Sequence, residues 1–240
     1  MLAFSWPTRQ SPFFYAMDKS ESKKSIPSLV ELLDFLARNT DVQEINVLGY
    51  SAGGPLLAGA LADLRERYSD LDEADLRREL KITNVFFAAS DAGLRDFVEE
   101  DLKTFHPLPE SIRVTVSRDD PILGMVGVFG SRLGEAKPAD LTREELEALD
   151  EIMPKIDVVD VTYSDPGRAG GSFSGHGYWY QNAWVATDVL SSFRWDVPPE
   201  DRGLVRMPDA ETWYYPNDYP QRITSLVVRI RSGDYVPQGR

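Results

Sequence analysis

The stretch Ile45-Asn46-Val47-Leu48-Gly49-Tyr50-Ser51-Ala52-Gly53-Gly54-Pro55 decides how this chain is read. Ile45 to Leu48 has strand character, Gly49 to Gly53 has the form Gly-x-Ser-x-Gly, and the apolar run Leu56 to Leu61 follows at once. The pattern predicts a strand, a sharp turn and a helix. A serine on such a turn is held in a strained backbone conformation, and glycines two residues to either side let strand and helix pass closely. Its Oγ then projects beyond the strand end. The N–H of Ala52 sits at the start of the helix, where a developing oxyanion is stabilised. The competing reading is a glycine-rich turn without chemistry; the flanks favour a nucleophile.

Working outward, the same alternation recurs. Leu2 to Trp6 reads as a short buried strand stopped by Pro7, and Leu29, Leu32, Leu33, Phe35 and Leu36 give the face of a helix. Asp70 to Leu80 is charge-dense and reads as a solvated extension of the helix after Ser51. Ile82 to Ala89 makes a near-continuous apolar run, as expected for a strand buried on both faces of a parallel sheet; Ile112 to Val116 reads as a strand of the same kind, and Ile156 to Thr162 as a further strand, rich in Val. Gly93 to Lys103, Leu141 to Met153 and Tyr178 to Phe193 read as helices between or after them. Strands alternating with helices imply right-handed crossovers and a mostly parallel α/β sheet, with ligands bound at the carboxyl ends of the strands. Residues 1–195 are expected to form this domain. Residues 196–240, rich in Pro and aromatics, read as an extension packed on it, with Ile223 to Ile230 as an edge strand.

Composition narrows the function classes. The 240 residues carry 26 basic and 39 acidic side chains, a formal charge of −13, which argues against nucleic acid and against an anionic membrane surface. There are no cysteines, so disulfides and thiolate nucleophiles are excluded. No apolar run approaches the roughly 20 residues that span a bilayer. Met1 to Pro7 lacks the basic start and long apolar core of a signal peptide. A cytoplasmic location is therefore expected for the sequence as written, with any export signal lying upstream of Met1. Oligomeric state is not legible.

A serine hydroxyl needs a base to take its proton, and histidine has the fitting pKa. The chain has two histidines. His106, in Phe-His-Pro-Leu-Pro before a strand start, falls at the wrong end of the sheet. His176, in Ser-Gly-His-Gly-Tyr after the last parallel strand, falls at the right one. A carboxylate must then orient the imidazole and stabilise its charged form. Asp91, Asp119 and Asp120 all end strands; Asp91 is also explained as a helix cap. The order Ser, Asp, His found in α/β-hydrolases points to the pair Asp119 and Asp120, and the rigid turn begun by Pro121 favours Asp120. No ligand spacing for a metal is present, and no cofactor is implied. Tyr50, Tyr178 and Trp179 are candidates to line a substrate pocket for the acyl group, with packing as the alternative.

These residues also carry a family likeness. Phe4-Ser5-Trp6-Pro7, Tyr15-x-x-Asp18, Ser25 and Val47-Leu48-Gly49-Tyr50-Ser51-Ala52-Gly53 together resemble the bacterial α/β-hydrolase family DUF900. Ala88-Ala89-Ser90-Asp91 is similar to its Ala-Pro-Asp segment, and Ser117-Arg118-Asp119-Asp120-Pro121-Ile122-Leu123 to its Ser-x-x-Asp-x-Ala-Leu segment, which selects Asp120. Arg132-Leu133-Gly134 and Gly175-His176-Gly177-Tyr178-Trp179 match as well. The likeness covers about residues 4 to 190, with Tyr50 and Ala52 where the family commonly has His and Met. It implies an α/β-hydrolase fold lacking the family's N-terminal strands, including one ending in His-Gly-Tyr that supplies a second oxyanion donor. It further implies a serine hydrolase acting on a small ester or acyl substrate, with a non-catalytic binding module as the rival and acyl transfer as a variant of the same chemistry.

Overall fold

The computed structural model describes residues 1–7, 21–117, 120, 131–135, 141–162, 175–208 and 210–235. Its frame is a six-stranded sheet in the order β1-β2-β3-β4-β6-β5. The strands are β1 (Ile45–Tyr50), β2 (Ile82–Ala88), β3 (Ser111–Val116), β4 (Ile156–Asp160), β5 (Val205–Arg206) and β6 (Thr212–Tyr214). Pairing is parallel from β1 through β4 to β6, and β5 closes the far edge antiparallel to β6. Among the described strands, β1 forms the other edge.

The apolar runs are explained by two-sided burial. Period-two alternation sends Val85 and Phe87 to one face of β2, and Phe86 and Ala88 to the other. Each face has its own core. The first lies under helices α1 (Ile26–Asn39), α2 (Gly53–Arg67) and α3 (Glu73–Leu80) and the helical stretch α4. α4 runs through Leu94–Asp96, Phe97–Leu102 in π-helical geometry, and Lys103–Phe105. The second core lies under α7 (Ala183–Trp195) and α8 (Tyr219–Ser232). Between these come α5 (Arg143–Asp150) and the single turn α6 (Tyr178–Gln181).

Three expectations need correction. Leu2 to Trp6 forms no strand: among the described residues, 1–7 join no ladder, and Leu2 is 62% exposed. An apolar pentapeptide is a strand only when a ladder satisfies its backbone. Here Phe4 and Trp6 simply lie on the first core, Trp6 against Gly53. Ile223 to Ile230 is helix rather than edge strand. Pro220 stands in the first turn of α8, and Tyr219, Ile223, Leu226 and Ile230 recur at helical intervals onto the second core. Asp70 to Leu80 is no solvated extension either. Asp72 caps a separate helix by accepting from the Asp75 N–H, and Leu76 and Leu80 are fully buried.

Residues 196–235 supply β5, β6 and α8. A buried ionic network ties them in: Arg113 of β3 pairs with Asp157 of β4 at 3.4 Å and Asp196 at 3.0 Å. Arg202 pairs with Asp188 at 2.6 Å and reaches Asp157 at 3.9 Å. Tyr215 donates its hydroxyl to Asp188 at 3.2 Å. Arg113 and Asp157 are register partners across the sheet, so the two charges face each other. Burial, with Arg202 near, lowers the Arg113 guanidinium to about 10.

Candidate active site

Ser51, Asp91, Asp120 and His176 gather where the parallel strands end. β1 runs directly into Ser51, which adopts φ 51°, a left-handed conformation that a non-glycine residue holds only under constraint. The constraint is local hydrogen bonding. Ser51 N–H donates to the Ala88 carbonyl at 3.0 Å, while its own carbonyl accepts from Gly54 N–H at 2.9 Å and Asp91 N–H at 3.2 Å. The glycines are required by contact: a Cβ on Gly54 would lie 2.0 Å from Ser90 Oγ, and one on Gly49 3.0 Å from the Gly53 carbonyl oxygen. Ala52 precedes α2 in helical geometry, so its N–H belongs to the helix start, where intrahelical acceptors are lacking.

His176 lies in a short turn, Gly175–Gly177, before α6, and is buried. Its Nε2 is 2.7 Å from Ser51 Oγ and its Nδ1 is 2.8 Å from Asp120 Oδ2. Three residues separated by 125 and 56 positions in the chain are thus joined by two hydrogen bonds. Asp120 is 4% exposed, so its carboxylate is shielded from solvent.

Tyr178 anchors this turn. Its buried hydroxyl accepts from the Ala89 N–H at 2.8 Å and lies 2.8 Å from Thr115 Oγ1, bridging the ends of β2 and β3. Burial drives its phenol well above the ordinary value. This places the Tyr178 hydroxyl beneath the site, between the ends of β2 and β3. Tyr50 and Trp179 do lie beside His176: the Tyr50 ring centroid is 5.2 Å from the imidazole and 5.8 Å from Trp179. Burial raises the Tyr50 phenol to about 12, with Tyr180 and Asp120 contributing.

Asp91 is close by but differently engaged. Its carboxylate pairs with Arg132 at 3.3 Å, and no hydrogen bond joins it to His176. Burial pushes it up to about 6 against the pull of Arg132 and His176. Arg132 belongs to a segment laid across the strand ends, where Leu133 N–H donates to Ala92 and Gly134 N–H to Ser90. His106 lies at the opposite end of the sheet, and burial, with Lys155 near, lowers its pKa. Asp119, Tyr15 and Asp18 lie outside the described residues. Thr115 and Tyr180 escaped the sequence reading, since neither stands in a motif; only Tyr180's place two residues after Tyr178 marks it. Among the described residues no cluster of His, Asp and Glu could hold a metal ion, and no helix is long and apolar enough to cross a membrane.

Residues 1–192 match the family described as alpha/beta hydrolase of unknown function (DUF900). The chain belongs to this family. Its mostly parallel sheet with helices on both faces is the fold that the family's description requires, and the description makes hydrolase chemistry the general expectation. The DUF900 match ends within α7, before β5, β6 and α8 begin. No curated protein and no solved structure matches the chain.

Proposed function

We propose that this DUF900 protein is a serine hydrolase cleaving an ester or related acyl bond, with Ser51 as nucleophile, His176 as base and then acid, and Asp120 as the group that orients His176. The observation that carries the reading is the run of hydrogen bonds from Ser51 Oγ through His176 to Asp120, built on a strained turn. An ionised Asp120 can only accept, so Nδ1 bears the imidazole proton and Nε2 is left to receive the hydroxyl of Ser51.

Ser51 Oγ forms a bond to the carbonyl carbon as its proton passes to Nε2. The carbonyl π pair moves onto oxygen, where the Ala52 N–H stabilises it. When that pair returns, the bond to the leaving oxygen breaks and the alkoxide takes the proton from Nε2. Water then attacks the acyl-serine by the same steps, releasing the acid and restoring Ser51. An alcohol in place of water would make the reaction an acyl transfer.

The edge position of β1 favours a second reading, a binding module without turnover. Among the described residues no strand beyond β1 offers a further oxyanion donor, and losing one such donor costs about 100- to 1,000-fold in rate. Covalent labelling by a fluorophosphonate separates the two, because it reads nucleophile activation even where turnover is slow. Labelling that disappears in Ser51→Ala and His176→Ala supports the hydrolase. A folded parent that stays unlabelled supports the binding module.

A further inference from the structure

Beside His176 three aromatic rings form a wall that the chemistry above does not use. Tyr50, Trp179 and Tyr180 lie within 5.2 to 6.1 Å of one another by centroid, in tilted or edge-to-face contact. Tyr50 directly precedes Ser51, and the other two follow His176 by three and four residues. Tyr180 is 54% exposed, yet it is held: its ring packs edge-to-face against Tyr50 and Trp179, and Gln181 Nε2 donates to its hydroxyl at 3.3 Å. A Cβ on Gly177 would lie 2.8 Å from that hydroxyl, so Gly177 is what lets Tyr180 fold back. A solvent-exposed aromatic ring fixed by its neighbours offers a surface to a guest.

We propose that this wall binds the alcohol half of the substrate, and that the preferred esters are those whose leaving alcohol carries an aromatic ring. The proposal rests on the serine hydrolase reading. As acid, His176 must come within hydrogen-bond reach of the leaving oxygen, about 2.6 to 3.2 Å. Whatever that oxygen bears therefore emerges next to the imidazole, and the Tyr50 ring is already in contact with it. An aromatic guest meets such rings in the offset or edge-to-face contacts that they already make with each other. The acyl half, attached on the other side of the carbonyl carbon, is directed away from the wall.

The test compares hydrolysis of benzyl acetate, ethyl acetate and ethyl phenylacetate by the full chain and by Trp179→Ala and Tyr180→Ala. The parent should prefer benzyl over ethyl acetate by about 10-fold in kcat/KM, and each variant should remove most of that ratio. The ratio of ethyl phenylacetate to ethyl acetate, which reports the acyl side, should hold. Loss of the phenylacetate ratio instead, or no change in either, overturns the proposal. Saturation-transfer NMR of benzyl alcohol on Ser51→Ala reads the wall without turnover. Contact should weaken in the added Trp179→Ala or Tyr180→Ala, and an unaltered signal refutes the wall whatever the esters show. A parent that binds benzyl alcohol but resists fluorophosphonate fails the hydrolase reading alone.

Discussion

Replacing Tyr178 by Phe removes one oxygen from beneath the site. In the structure that oxygen accepts from the Ala89 N–H at 2.8 Å, meets Thr115 Oγ1 at 2.8 Å and lies 3.3 Å from the Thr115 carbonyl. Thr115 keeps a partner in the Phe87 carbonyl at 3.3 Å, whereas no other contact takes the place of the phenol for Ala89 N–H. A buried donor left unsatisfied costs about 1 to 3 kcal/mol. For a chain of this size that is a fall in Tm on the order of 2 to 12 °C. The second consequence is catalytic. His176 stands two residues before Tyr178, and a misplacement of about 1 Å costs up to about 100-fold in rate. The assays are urea unfolding and the fluorophosphonate labelling rate, run as a double-mutant cycle with Thr115→Val. A coupling of about 0.5 to 3 kcal/mol is expected, since the two hydroxyls are in contact. Additive losses would refute the shared network, and a destabilised Tyr178→Phe that labels at the parent rate would refute the link between this anchor and His176.

Gly54→Ala should destabilise by about 1 to 3 kcal/mol through collision with Ser90, and adding Ser90→Gly should recover part of the loss in urea unfolding. Asp91, pushed up to about 6 from an ordinary 3.8, holds its proton in the folded state where the unfolded chain has lost it, so it makes stability fall as pH rises between about 4 and 6. Asp91→Asn should remove that component, and Tm measured across the window should fall less steeply with pH than in the parent. Arg202→Met leaves Asp188 buried without its guanidinium and should cost about 3 to 5 kcal/mol by urea unfolding, with partial recovery in Arg202→Met/Asp188→Asn.

Much of this architecture was legible because the chain states it locally. The turn around Ser51 announces itself by glycines that contact alone enforces, and four strands announce themselves as apolar runs that two-sided burial explains. With two histidines in the chain, the order of elements was enough to single out the His176 that lies against Ser51. What stayed hidden depends on distant partners. β5 and β6 are two and three residues long, too short for any periodicity to register. Val227 and Val228 lend Ile223 to Ile230 a strand-like composition that the helical spacing of α8 overrides. Arg113 and Asp157 look out of place in their strands until the register sets them side by side. Tyr180 acquires a role only when Gly177 lets it turn back on Tyr50.

That register has a consequence for where the protein can be divided. The family match stops at residue 192, but Asp188 lies before that point and its Arg202 partner beyond it, as Asp196 lies beyond it for Arg113. A chain cut at 192 would keep the nucleophile turn and both of its partners in sequence while leaving an aspartate bare within the protein. The last fifth of the chain is therefore expected to act as a keystone, and a chain ended at 192 should unfold at lower urea than the full chain.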